Sequence, residues 1–208
     1  MKRAAFAMFG LLVPSVAQAA GDGAYGRLSG DLALVVGAGG GVLAHDGRPF
    51  GSADARLRYL EVAGASLSFD EADTLGRAGP GQLRRAALAG VELRPLFPVR
   101  FLKARQTGRA IFDLTLDSLA LDVGAVWTVR EGRDAARPGM YAGLAIEAPL
   151  AARADGLWLR LWTQLRWTAP SLEGDRDPSG RTLVLGLGVA WHATFAGGLV
   201  QRGDEPLR

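Results

Sequence analysis

The chain has 208 residues, 49% of them hydrophobic, no cysteine, 29 glycines and a formal net charge of +3. The lack of thiols excludes a lipobox acylation site, a disulfide framework and a thiolate metal site. Without Lys2 and Arg3, 22 of the 24 basic residues remain against 21 acidic ones, interspersed rather than clustered, which argues against a nucleic-acid partner.

Lys2 and Arg3 open an apolar run, Ala4 to Val13, that leads to the small-x-small sequence Ala17-Gln18-Ala19, the pattern of a cleaved signal peptide. The run is too short to span a bilayer as a helix, and Pro14 interrupts it. The expected organisation is a signal peptide over 1–19, one domain over 20–195 and a tail over 196–208.

From Gly26 to Ala44, Leu28, Leu32, Leu34, Val36 and Val42 alternate with small or polar residues, which predicts a first strand with Asp31 on its small face. His45 to Ala53 reads as a loop. Arg56 to Phe69 changes parity midway, Leu60 and Val62 against Ala65, Leu67 and Phe69, and reads as one strand with a bulge near Gly64. A polar connection over Glu71 to Gln82 precedes alternating strands at Arg85–Phe97, Leu119–Val129, Met140–Leu150, Leu157–Thr168 and Thr182–Phe195. They are joined by a charged loop at Glu131–Pro138, a short turn at Ala151–Gly156 and a long loop at Ala169–Gly180.

The last strand, TLVLGLGVAWHATF, puts Leu183, Leu185, Leu187, Val189, Trp191 and Phe195 on one face. The face with Gly186, Gly188, Ala190, His192 and Thr194 carries no carboxylate, Lys or Arg. At a barrel tilt its length covers about 35 Å, more than the roughly 25 Å apolar band of an outer membrane. These features predict an all-β fold, an antiparallel transmembrane β-barrel. A single-chain bacterial barrel has an even strand count. Eight strands are therefore expected, with the eighth drawn from Pro98–Ser118; the competing reading there is a helix at Arg100–Gln106 or Phe112–Leu121.

A soluble barrel also alternates, with aliphatic residues inside. The polar faces favour the membrane: one lysine, Lys103, remains after the signal peptide, and charges are dense in loops and sparse in strands. Tyr25, Phe69, Phe97, Trp127, Trp167, Trp191 and Phe195 gather toward strand ends, as interfacial aromatics do. In pattern the chain resembles the small Gram-negative outer-membrane barrels of the outer-membrane-protein-A and -X type. Such proteins end in alternating hydrophobics and a final phenylalanine read by the barrel assembly machinery, and Val189, Trp191, Ala193 and Phe195 look similar. The departure is that Ala196 to Arg208 follow Phe195.

With this parity the inward charges are Asp31, Glu92, Asp122 and Glu147 against Arg94, Arg160 and Arg166. An eight-stranded barrel is just wide enough for side chains to fill, so they are expected to form a buried polar network that closes the lumen, in preference to a pore. His192 with Thr194 two residues on resembles the His-x-Ser pair of outer-membrane lipid A deacylases, with Thr in place of Ser, and Glu147 or Asp122 could orient the imidazole. A filled-interior role is favoured for His192. His45-Asp46 lies in a loop, and two histidines without cysteine do not suggest zinc.

The expected function is a non-enzymatic outer-membrane barrel with a structural, adhesive or envelope-interaction role and no cofactor. Its expected partners are outer-membrane lipids, the barrel assembly machinery and an unknown loop partner. The alternatives are a lipid-modifying hydrolase of the same architecture and a soluble periplasmic barrel with an apolar ligand.

Overall fold

The computed structural model describes residues 25–44, 47–72, 83–130, 138–174 and 180–198, so the expected signal peptide and His45-Asp46 lie outside the described residues. Eight strands form a closed antiparallel barrel: β1 (Leu32–Leu43), β2 (Arg48–Tyr59), β3 (Ala63–Glu71), β4 (Leu83–Leu93), β5 (Ala120–Arg130), β6 (Gly139–Pro149), β7 (Gly156–Trp167) and β8 (Arg181–Phe195). Each strand pairs with its sequence neighbours, and β8 closes on β1 from Leu32↔Phe195 to Leu43↔Val184. Two short helices, α1 (Leu96–Leu102) and α2 (Ala110–Asp117), lie between β4 and β5, and a single turn, α3 (Ala169–Leu172), follows β7. One end of the barrel, the base, holds residues 25–31, the β2–β3 turn, α1, α2, residues 150–155 and the end of β8. The connections after β1, β3, β5 and β7 lie at the opposite end, the mouth.

The alternation in sequence becomes two chemically distinct surfaces, because successive strand residues point to opposite faces. Leu34, Leu57, Leu67, Val91, Val123, Leu144, Leu161 and Leu187, one from each strand, are exposed on the outside. Their inward neighbours are charged, small or aromatic. Glycines make room where large inward side chains cross the lumen: a Cβ on Gly186 would lie 2.3 Å from the Trp162 ring, and one on Gly90 2.3 Å from the Tyr141 hydroxyl.

The strand count matches the expectation, but the path does not. Arg56–Phe69 is not one bulged strand; it is the hairpin of β2 and β3, turning at Leu60 and Glu61 with φ of 48° and 56°. Both central residues are left-handed, as in a type I′ turn, and the Val62 N–H donates to the Tyr59 carbonyl at 3.0 Å. Residues 48–53, expected in a loop, form the first half of β2. Pro98–Ser118 supplies no strand and instead carries most of α1 and all of α2. Burial decides in favour of helix: Asp113, Leu114 and Asp117 share one helical face and pack inward together. The first strand begins at Leu32, later than expected, because residues 25–28 form a turn beneath the barrel.

Candidate functional site: a polar column capped at both ends

At the base, Arg27 donates to Asp117 at 2.6 Å and to the Leu114 carbonyl at 3.0 Å, with its guanidinium 4.5 Å from the centre of the Phe97 ring. Arg100 donates to both Asp113 and Asp117 at 2.6 Å. Asp113 also accepts from the Tyr25 hydroxyl at 2.7 Å and from the N–H groups of Thr107 and Gly108 at 2.9 and 3.1 Å. Burial pushes the Asp113 carboxyl up, but the Thr107 N–H, the Tyr25 hydroxyl and Arg100 outweigh it and hold it below the usual carboxylate range. Burial and the Asp113 carboxylate together push the Tyr25 phenol up to about 12. The helices are thereby bound to the 25–31 segment across the base.

Above this cap Glu147 is surrounded by cations. Its carboxylate pairs with Arg56 and Arg94, lies 3.2 Å from Arg58 Nη2 and 3.7 Å from Arg160 Nε, and sits 3.2 Å from His192 Nε2. Glu92 accepts from Arg58 at 2.6 Å and Arg94 at 3.3 Å, and Glu61 from Arg94 at 2.9 Å. Asp54 accepts from Arg56 at 2.7 Å and pairs with Arg160 at 3.1 Å. Arg56, Arg58, Arg94 and Arg160 are thus matched by Asp54, Glu61, Glu92 and Glu147 in one neutral cluster. Neutrality matters because an unpaired ion away from water costs several kcal/mol, roughly, whereas a hydrogen-bonded pair is tolerated. At the Glu61 turn, burial pushes the carboxyl up, but Arg94 and Arg58 hold it below its ordinary value.

Toward the mouth, Asp122 accepts from Tyr141 at 2.9 Å and Ser66 at 3.1 Å. Arg166 pairs with Asp70 and donates to Gln164 at 2.6 Å. The internal space among Ser52, Asp54, Ser66, Asp122, Gln164 and Arg166 has room for about one water molecule. Leu43, Phe50, Ala72, Leu83, Ala86 and Val184 then pack as an apolar layer near the mouth. Because the aliphatic side chains of all eight strands are exposed and the charged ones buried, the aliphatic-inside reading of the alternation is the wrong way round.

All seven residues read as inward from the sequence are buried, but they do not form one group. Glu92, Arg94, Glu147 and Arg160 share the central cluster. Asp122 and Arg166 belong to the two upper groups. Asp31 lies apart at the base, where its carboxylate accepts from the Gly197 N–H. Sequence parity missed Arg56 and Arg58, which the single-strand reading of 56–69 turned outward, and with them Asp54, Glu61 and Asp70. A hairpin at Leu60-Glu61 would have revealed them, but neither residue is a usual turn former.

His192 is 1% exposed and stacks on Trp158, ring centres 4.5 Å apart. Its imidazole meets Glu147, as the orienting carboxylate of a hydrolase would, but Trp158 and the base cap cover it. Among the described residues no three His, Asp or Glu side chains converge as metal ligands.

No protein-family model and no curated protein matches the chain. Among solved structures it is similar to the N-terminal β-barrel domain of Pseudomonas aeruginosa OprF, with 8% identity over 79% of this chain and 98% of that one and a TM-score of 0.47. It is also similar to the de novo designed TMB2.3, with 11% identity over 80% of this chain and 98% of that one and a TM-score of 0.45. A third likeness is Neisserial surface protein A, with 10% identity over 77% of this chain and 95% of that one and a TM-score of 0.38.

Proposed function

We propose that the chain is an integral outer-membrane β-barrel with a non-enzymatic structural, adhesive or envelope-interaction role, exported by a signal peptide over 1–19. One observation carries this reading. Aliphatic side chains are exposed on all eight strands while ion pairs fill the lumen, the inverse of a soluble barrel. Soluble monomers rarely expose apolar patches beyond about 300–600 Å², whereas a bilayer gives such a belt its proper solvent. No described helix is long and apolar enough to cross a membrane; on this reading the strands make the crossing.

The filled lumen supports a structural barrel rather than a channel, and specificity is assigned to the connections at His45–Ala53, Arg130–Gly139 and Ala169–Gly180, of which 48–53 are the first half of β2. Outer-membrane lipids and the barrel assembly machinery are the partners this reading implies. The test is to express the full chain in a Gram-negative host, fractionate the envelope and run the outer-membrane fraction with and without boiling. A mobility shift on boiling is expected. Recovery as a soluble periplasmic protein without a shift overturns the reading.

A further inference from the structure

The outer surface of the base cap has a composition that water alone does not explain. Leu102 is 83% exposed, and Val99, Ile111 and Phe112 are each about half exposed. Between them Lys103, Arg105 and Arg109 are exposed as well. The two acids of the same segment, Asp113 and Asp117, are both buried against Arg27 and Arg100. The fold therefore removes every carboxylate of 95–119 from the surface and leaves an apolar and cationic one, the composition of helices that lie at a lipid interface.

This surface also adjoins the base end of the barrel wall. The segment leaves β4 at Leu93 and rejoins at β5, two adjacent strands. At its end the Ser118 hydroxyl donates to the Glu147 carbonyl at 2.6 Å and accepts from the Glu147 N–H at 2.7 Å, beyond the last β5–β6 pair, Ala120↔Ala145. α2 packs on β6 with Asp113, Leu114 and Asp117 buried, and leaves Ile111 and Phe112 exposed beside the base end of the barrel wall.

We propose that the outer face of the α1–α2 cap seats in the headgroup region of the base-side leaflet, held there by anionic lipid through Lys103, Arg105 and Arg109. The inference rests on the membrane reading above and names a second, charge-selective contact with the same bilayer. Each of the three cations contributes roughly fivefold to seating, and salt weakens it.

Because the chain has no cysteine, Leu102→Cys and, separately, Leu161→Cys in the middle of β7 each carry one environment-sensitive fluorophore. The full-length protein is inserted into vesicles of phosphatidylcholine, or of an equal mixture with phosphatidylglycerol, that contain nitroxide-bearing lipids. The Leu161 position is expected to be quenched in both. The Leu102 position is expected to be quenched in the mixed vesicles and released by high salt or by Lys103→Gln, Arg105→Gln and Arg109→Gln combined. If Leu161 is quenched while Leu102 stays in water, the cap does not seat and this proposal alone fails. If Leu102 is shielded equally in neutral vesicles and after the triple substitution, something other than anionic lipid covers it, and the proposal again fails. An unquenched Leu161 overturns the membrane reading, and this inference with it.

Discussion

Glu147 is the residue on which the lumen depends most heavily. Four guanidinium groups and an imidazole surround its carboxylate at 1% exposure, so its removal leaves Arg56, Arg58, Arg94 and Arg160 with three carboxylates. Glu147→Ala is expected to destabilise the barrel by about 3–5 kcal/mol, the cost of stranding buried charge, measured as reversible urea unfolding in lipid vesicles. An unchanged unfolding midpoint would show that the cluster is hydrated and its pairs weak. Packing should matter comparably at Gly186, where a Cβ would lie 2.3 Å from the Trp162 ring. Gly186→Ala should cost roughly 1–3 kcal/mol, with part of the loss recovered when Trp162→Leu is added, a coupling that a double-mutant cycle measures. Residue-level legibility followed parity. Glu92, Glu147 and Arg160 could be read as inward because their strands alternate without interruption, whereas Arg56 and Arg58 could not, since a turn two residues beyond Arg58 reverses the chain.

The two elements that sequence reasoning misplaced are those held by tertiary contacts. At the β2–β3 turn, Leu60 and Glu61 adopt the left-handed conformation that L-residues avoid, at about 1–2 kcal/mol each. Glu61 is held there by Arg58 and Arg94, contacts that no local propensity encodes. Leu60→Gly, at the partly exposed member of the pair, is therefore expected to raise stability by up to about 1 kcal/mol; a lowered unfolding midpoint would show that the Leu60 side chain holds the turn. The helical cap was ambiguous for a related reason. Phe97, Val99 and Phe101 suit an alternating strand, while Phe97 and Phe101, in contact at 5.7 Å, equally suit a helix. The shared burial of Asp113, Leu114 and Asp117, with the pairs of the two carboxylates to Arg27, Arg100 and Tyr25, resolves it. These pairs make the cap pH-sensitive. Asp113 is held below its ordinary value, so its contribution is complete above about pH 4 and is lost as pH falls through the depressed carboxylate range. Tyr25 is raised, so its contribution holds below about pH 10 and fades as pH climbs toward about 12. Amides in 96–118 should lose protection against exchange, relative to their intrinsic rates, at a higher pH than those of the barrel strands as acid is added, and Asp113→Asn should abolish most of that difference. Simultaneous exchange of cap and strands would show that the cap has no separate opening.

On the scale of the whole molecule, the fold separates two chemistries. Ions, amides and hydroxyls are drawn into a lumen that they fill, and the outer wall retains little besides aliphatic and aromatic groups between Leu32 and Trp191. Cross-strand pairs such as Glu147↔Arg160 place opposite charges side by side across the inner face of the sheet, so lumen chemistry and strand register reinforce each other. The closed architecture and the identity of both faces were legible because period-two alternation persists through most of the chain. The end cap and the internal pairings arise from contacts between residues some 30 to 90 positions apart, which periodicity does not report. If the outer wall meets lipid, spin labels placed singly along β7 from Leu157 to Arg166 will show oxygen accessibility with a period of two. The maxima will fall at the outward positions 157, 159, 161 and 165, and a water-soluble nickel relaxant will be excluded there. Strong nickel accessibility at Leu159 and Leu161 in vesicle-associated protein would mean that water bathes the aliphatic wall, and the membrane barrel would have to be given up.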